Sequence, residues 1–303
     1  MSLPTTVYGI VPPLVTPLTR DGRLDADGLS ALTEHAIGGG VHGLFVLGTT
    51  GEGPLLAQEL RREVTRLVCR RAEGKVPVLV GAIETSFAEA LLLAKFAGDQ
   101  GAHSIVIAPP YYQALSAEDA FRFVERLADE SPIPVFLYNV PNARLPRFDL
   151  ATLEKAALLP NVAGFKDSSG DAGFLRESIP RLKAIREEFS MLVGPEGLLS
   201  EAIRLGGDGG VSGGANLFPE VYVALYNACV AGDEAEAARL QAIVDDVNRL
   251  IYTIGDPASS LVRGLKGALR LRGICADGMA WPYLPPTDAE LAEVQERLLH
   301  FEL

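Results

Sequence analysis

Short apolar runs rich in Val and Ile recur along the chain and alternate with longer stretches of helical periodicity. Eight of these runs read as strands: "YGIVPPLV" (8–15), "GLFVL" (43–47), "VPVLVGA" (76–82), "HSIVIAP" (103–109), "PVFLYN" (134–139), "VAGFK" (162–166), "MLVG" (191–194) and "GGVSG" (209–213). Unbroken apolar character suits strands covered on both faces, as in a parallel sheet. The run ends are evenly spaced, with 29 residues from Pro109 to Tyr138, 28 from Tyr138 to Lys166 and 28 from Lys166 to Gly194. A β-α-β crossover with its helix takes about that length.

Helical patterns fill the intervals. In "AQELRREVTRLVCRRAEG" (57–74), Leu60, Val64, Leu67 and Val68 share one face. Ser86 followed by Glu89 predicts a capping box for the helix through "AEALLLAKFAGDQG", and Gly74 and Gly101 stand where helices stop. Eight β-α units predict an α/β fold, a (β/α)8 TIM barrel over residues 1–218. The competitor is an open doubly wound sheet. Its glycine fingerprint is matched only by Gly38, Gly40 and Gly43, on the wrong side of a strand to cradle a pyrophosphate. These glycines read as a helix stop and a tight turn. Beyond residue 218 the pattern is helical only. Leu240, Ile243, Val244, Val247, Leu250 and Ile251 form one stripe, and two more helices are expected near 258–272 and 288–299. Residues 219–303 therefore read as a C-terminal helical appendage packed on the barrel.

Chemistry in such a barrel gathers where strands finish. The strand ends here present "GTTGEGP" (48–54), "PPYY" (109–112), "YNVP" (138–141), "KDSSGD" (166–171) and "SGGAN" (212–216). Lys166 stands out. A buried ammonium is costly, its pKa falls on desolvation, and the neutral amine is a nucleophile suited to a Schiff base with a ketone or aldehyde. The plain alternative is a rim lysine paired with Asp167 or reaching water. Tyr138 shifts the balance, because it ends the neighbouring strand. A phenol linked to other hydroxyls relays the protons that imine formation moves, and Thr49, Thr50, Tyr111 and Tyr112 supply such hydroxyls. The glycines of "GTTGEG" let backbone amides approach a small carboxylate. Those of "GGDGGVSGG" (206–214) either hold a phosphate or relieve crowding at the last strand. Asp171 is expected to cap a helix beginning near Ala172, and Glu52 to do similar work in its own loop.

Charge and composition narrow the partners. The chain has 303 residues and a net charge of −12, so neither nucleic acid nor an anionic membrane surface is expected as a partner. No apolar run is long enough to cross a bilayer, and the first residues lack the basic and apolar regions of a signal peptide. The cytoplasm is the default address. Cys69, Cys229 and Cys275 are widely spaced and suggest neither a disulfide framework nor zinc. His35, His42, His103 and His300 are too scattered for a metal site.

"GTTGE", "YY", "YNVP" and "GFKDSSGD", in this order, resemble the dihydrodipicolinate synthase / N-acetylneuraminate lyase family, as do "LKGALRLRGI" (265–274) and "WPYLPP" (281–286). The resemblance covers nearly the whole chain. It implies class I aldolase chemistry on a (β/α)8 barrel without metal or organic cofactor, assembled as a homotetramer or dimer. By position, Lys166 would form an imine with pyruvate or another 2-keto acid, and Tyr138 would relay protons. Thr49 would link Tyr138 to a Tyr112 reaching in from a neighbouring subunit. Thr50, with the backbone of Gly48 and Gly51, would hold the keto-acid carboxylate, and the Val211 carbonyl would face the imine. The second substrate would be an aldehyde.

Two positions depart from the family pattern. Dihydrodipicolinate synthases carry an arginine two residues after the proline of "YNVP", where this chain has Ala143, with Arg144 one place later. Neuraminate lyases have an acidic pair after the seventh strand, where this chain has "GPEG" (194–197) with the single Glu196. A 2-keto-3-deoxy sugar acid aldolase or dehydratase is therefore the alternative. From another class, a non-catalytic keto-acid sensor on the same barrel is the rival.

Overall fold

The computed structural model describes residues 6–140 and 145–301. It contains eight strands: β1 (Gly9–Ile10), β2 (Leu44–Val46), β3 (Val78–Gly81), β4 (Ser104–Ile107), β5 (Val135–Asn139), β6 (Val162–Asp167), β7 (Ser190–Val193) and β8 (Gly209–Gly210). All are parallel. Each pairs with the next from β2 to β8, and β8 pairs with β1. The circle closes just beyond β1. The Phe45 amide donates to the Pro12 carbonyl at 3.0 Å, and the Leu14 amide donates to the Phe45 carbonyl at 2.8 Å. Strand β1 is shorter than its apolar run because Pro12 and Pro13 have no N–H to give to a ladder.

Seven helices follow the first seven strands: α1 (Ala26–Gly38), α2 (Gln58–Ala72), α3 (Phe87–Asp99), α4 (Ala117–Glu130), α5 (Leu150–Ala157), α6 (Ala172–Ile185) and α7 (Leu199–Arg204). Then come α8 (Pro219–Ala231), α9 (Glu234–Leu250), α10 (Ser260–Leu271) and α11 (Asp288–Leu298). Their ends obey local chemistry. The Asp171 side chain accepts from the Phe174 amide at 3.0 Å, the expected cap of α6. Ser86 accepts from the Glu89 amide at 3.4 Å, while the full reciprocal box forms at Thr287 and Glu290. None of the helices described is long and apolar enough to cross a membrane.

Period-two alternation sends Phe136, Tyr138 and Val140 into the barrel, where they pack with Phe45, Leu192 and Val211. Gly164 makes room for this layer, since a Cβ there would stand 2.5 Å from the Phe136 ring. The glycines near β8 relieve crowding. A Cβ on Gly209 would lie 2.0 Å from the Gly9 carbonyl oxygen, and one on Gly214 1.9 Å from the Tyr222 hydroxyl. Helix α8 packs on α7 and β1 as the eighth member of the outer ring. Helix α9 buries Leu240, Val244 and Val247 and lies against the 3-10 turn after β7. Helix α10 lies against the turn after β8. Helices α9 and α10 thus roof the strand ends where chemistry is expected.

Candidate active site

The register of β5 on β6 pairs Tyr138 with Lys166. Both side chains point inward, and the Lys166 Nζ stands 4.0 Å from the centre of the Tyr138 ring and 5.1 Å from that of Phe45. Lys166 is only 6% exposed. Burial pulls its pKa down from the usual lysine range to about 7, against the opposing pull of the Asp167 charge. The Asp167 carboxylate is itself engaged by Ser169, whose hydroxyl donates at 2.8 Å and whose amide donates at 3.3 Å. Among the described residues no carboxylate forms an ion pair with Lys166, so the rim-lysine alternative is not what the fold builds.

The Tyr138 hydroxyl lies 3.0 Å from Thr49 Oγ1, and Ser168 lines the same cleft. Burial is the main cause raising the phenol's pKa, and the bond to Thr49 only partly offsets this. The phenol is therefore neutral near pH 7 and can donate a proton. A cleft of about 340 Å³ opens over the pair, and Thr49, Thr50, Tyr138, Lys166 and Val211 all line it. Five of the residues singled out from sequence thus meet in one place.

The others lie elsewhere. Gly48 and Gly51 sit beneath the cleft lining. A Cβ on Gly48 would stand 2.5 Å from the Phe45 ring, and one on Gly51 2.9 Å from the Leu14 carbonyl oxygen, so both let the threonine loop lie flat on the barrel. Tyr112 is 83% exposed and lies near Phe87 and Phe123, away from the lysine. Ala143 and Arg144 fall outside the described residues. The flanks of their loop are clamped, because Asn139 accepts from the Phe148 amide at 2.9 Å and donates to its carbonyl at 3.1 Å.

Glu52 corrects an expectation. Its side chain caps nothing. Instead it pairs with Lys266 of α10, a fully buried lysine that also donates to the Gly278 carbonyl at 2.6 Å, and it accepts from the Ala280 amide at 2.8 Å. The threonine loop is thereby tied to the helical roof. Removing one member leaves the other buried and uncompensated, so Lys266→Met is expected to cost about 3–5 kcal/mol. Urea unfolding measures this, and pairing the change with Glu52→Gln should recover much of the loss.

Sequence reasoning missed four further groups. Phe45 supports the lysine, and its inward direction was readable from strand alternation. Ser168 was readable as the next inward position after Lys166. Glu196 was noticed only as a lone acid. It is a buried hub that accepts from the Gly214 amide at 3.0 Å, from Tyr252 at 2.6 Å and from Tyr222. Burial is the main cause raising its carboxyl pKa. Ser259 and Ser260 reach the cleft from the start of α10, a tertiary approach that no local pattern announces.

Fold and relatives together define a (β/α)8-barrel lyase. The chain belongs to the dihydrodipicolinate synthetase family, whose model matches residues 6–300. It is 36% identical to 4-hydroxy-tetrahydrodipicolinate synthase of Phenylobacterium zucineum (strain HLK1), over 94% of both chains. The structure of dihydrodipicolinate synthase from Bacteroides thetaiotaomicron matches with a TM-score of 0.94 and 46% identity, covering 99% of this chain and 100% of that one. YagE of Escherichia coli K12, solved in complex with pyruvate, matches with a TM-score of 0.92 and 32% identity, covering 98% of this chain and 99% of that one. Relatives carry both dihydrodipicolinate synthase and 2-keto-3-deoxy sugar acid aldolase names.

Proposed function

We propose that this chain is a class I lyase that joins or splits pyruvate, or a related 2-keto acid, and an aldehyde through a Schiff base on Lys166. The observation that carries the reading is a buried amine 4.0 Å from the ring of a phenol whose hydroxyl lies 3.0 Å from Thr49 Oγ1, with burial lowering the amine's pKa to about 7. The neutral amine adds to the keto carbon, and Tyr138 gives a proton to the departing hydroxyl of the carbinolamine. Thr49 holds the phenol in line. Thr50 and the backbone around Gly48 and Gly51 receive the carboxylate, and the Val211 carbonyl faces the imine. The iminium then draws electrons from the adjacent carbon, which loses a proton or a carbon substituent. In this scheme Tyr112, exposed on its own barrel, completes the relay in the cleft of a neighbouring copy, so a homotetramer or dimer is the working unit. The intact relay favours this reading over a keto-acid sensor, which needs no proton transfer.

Borohydride reduction in the presence of pyruvate tests the reading. A covalent adduct mapped to Lys166 is expected. No adduct at saturating pyruvate ends it. Because the attacking form is the neutral amine, the initial trapping rate should fall about tenfold per pH unit once the pH is well below about 7. Stopped-time mass spectrometry between pH 5 and 8 reads that slope directly.

A further inference from the structure

We infer that the buried pair of Glu52 and Lys266 is a positioning device for the reaction: it holds the threonine loop so that Thr49 meets the Tyr138 hydroxyl, and its loss slows proton transfer beyond what lost stability explains. This rests on the Schiff-base reading above and adds two positioning residues to it. The loop needs holding. Leu47 and Glu52 bracket the two threonines and stand at φ of 60° and 56°, in the left-handed region that a Cβ disfavours. The Glu52 amide donates to the Thr49 carbonyl at 3.0 Å, and the Gly53 amide to the Gly48 carbonyl at 3.1 Å. The backbone of Glu52 thus grips the residue whose hydroxyl lies 3.0 Å from the phenol.

The side chain of Glu52 fixes that backbone to the rest of the fold. One carboxylate oxygen accepts from the Ala280 amide at 2.8 Å, and the other pairs with Lys266. Lys266 also donates to the Gly278 carbonyl at 2.6 Å, and the Gly278 amide donates to the Leu18 carbonyl at 2.8 Å, in the segment after β1. On α10, Val262 lies one turn before Lys266 and lines the lysine cleft. The helix that walls the cleft therefore also sets where the loop sits. Apolar side chains of similar volume would stabilise the fold as well as a buried ion pair does, or better. They would leave the loop free to slide, whereas a carboxylate between two fixed donors is held in direction as well as in place.

The size of the effect is bounded. The pair acts through Thr49, so its loss costs no more than loss of the Thr49 hydroxyl itself, about tenfold, because a misplaced relay group slows proton transfer and leaves the amine in place. Thr50 rides on the same loop, so the rate is read at saturating pyruvate, where weaker carboxylate binding does not count. Neither member of the pair is bonded to Lys166, whose pKa of about 7 comes from its own burial.

The test is borohydride trapping at saturating pyruvate, timed by mass spectrometry, in the intact protein, its Lys266→Met variant and the Lys266→Met/Glu52→Gln double variant, each with Thr49 kept and with Thr49→Val. Lys266→Met is expected to slow trapping about tenfold when Thr49 is kept and less than about twofold in the Thr49→Val background, a coupling that independent sites do not show. The double variant, in which much of the stability returns, should stay slow, and it carries the test if Lys266→Met does not fold. Lys183→Met breaks a mostly buried pair with Asp208 at the opposite end of the barrel. It should lose stability and keep its trapping rate. In every variant the acid limb of the pH profile should stay centred near 7. The inference is overturned by equal slowing in both Thr49 backgrounds, by a double variant as fast as the unaltered protein, by Lys183→Met slowing trapping as much, or by a limb moved a full pH unit. A pyruvate adduct on Lys166 in those cases leaves the Schiff-base reading standing. If the unaltered protein gives no adduct, both fall together.

Discussion

Replacing Lys166 with Met is expected to lower aldol turnover by on the order of 10⁵-fold or more, the scale seen when a covalent nucleophile is deleted, while making the protein more stable. The two effects share one cause. A side chain only 6% exposed carries an amine whose charged form the fold disfavours. An apolar side chain of similar length removes that penalty, so stability is expected to rise by on the order of 1 kcal/mol or more. The pH dependence distinguishes this from a packing effect. The folded-state pKa of about 7 lies below the ordinary lysine value of 10.5. Between the two, the unfolded chain binds more protons than the folded one, so Lys166's contribution to stability improves as the pH rises. At and below the folded pKa the penalty is fully present, and above the unfolded pKa it is gone. The Lys166→Met gain in urea midpoint should therefore be largest near pH 6.5 and clearly smaller at pH 9.5. A gain of equal size at both values, or a loss, would mean that the amine is not strained by burial.

Much of this candidate site is legible in the sequence. The even spacing of apolar runs carries the barrel, because each strand must be followed by a helix long enough to return the chain. The barrel in turn decides which ends meet. Lys166 and Tyr138 are 28 residues apart in sequence, yet one β-α-β unit makes them ladder neighbours. What was not legible came from two sources. One is the absence of a ladder donor in proline, which shortens β1 while Pro12 still accepts the bond that closes the barrel. The other is contact between distant segments. Glu52 looked like a local cap because nothing near it in sequence signals a partner, but Lys266 lies 214 residues away. Likewise "GPEG" shows an acid without showing the tyrosines of α8 and the segment after α9 that hold it. The sequence pattern thus reads the parts of the site that a strand carries, and misses those that the helical roof brings down onto it.

Tyr138→Phe separates the relay from the amine it serves. The variant keeps the ring that lies 4.0 Å from the Lys166 Nζ and loses only the hydroxyl, so the nonpolar surroundings that depress the lysine pKa remain. Turnover is expected to fall about 10²–10⁴-fold, the range for a positioned general acid–base. The acid limb of the pH profile should stay centred near 7, because it reports Lys166. Binding of the keto acid should change little, since Thr50 and not Tyr138 meets its carboxylate in the proposed scheme. Thr49→Val is expected to cost less, about tenfold, because the phenol that carries the proton stays in place and only its alignment suffers. Single-turnover trapping with pyruvate, followed alongside steady-state aldol rates, reads both steps. If Tyr138→Phe shifts the limb itself by a full pH unit or more, the phenol acts on the amine's charge and not as a carrier of protons. If it leaves both rates intact, the hydroxyl is structural and the proton must travel by another route.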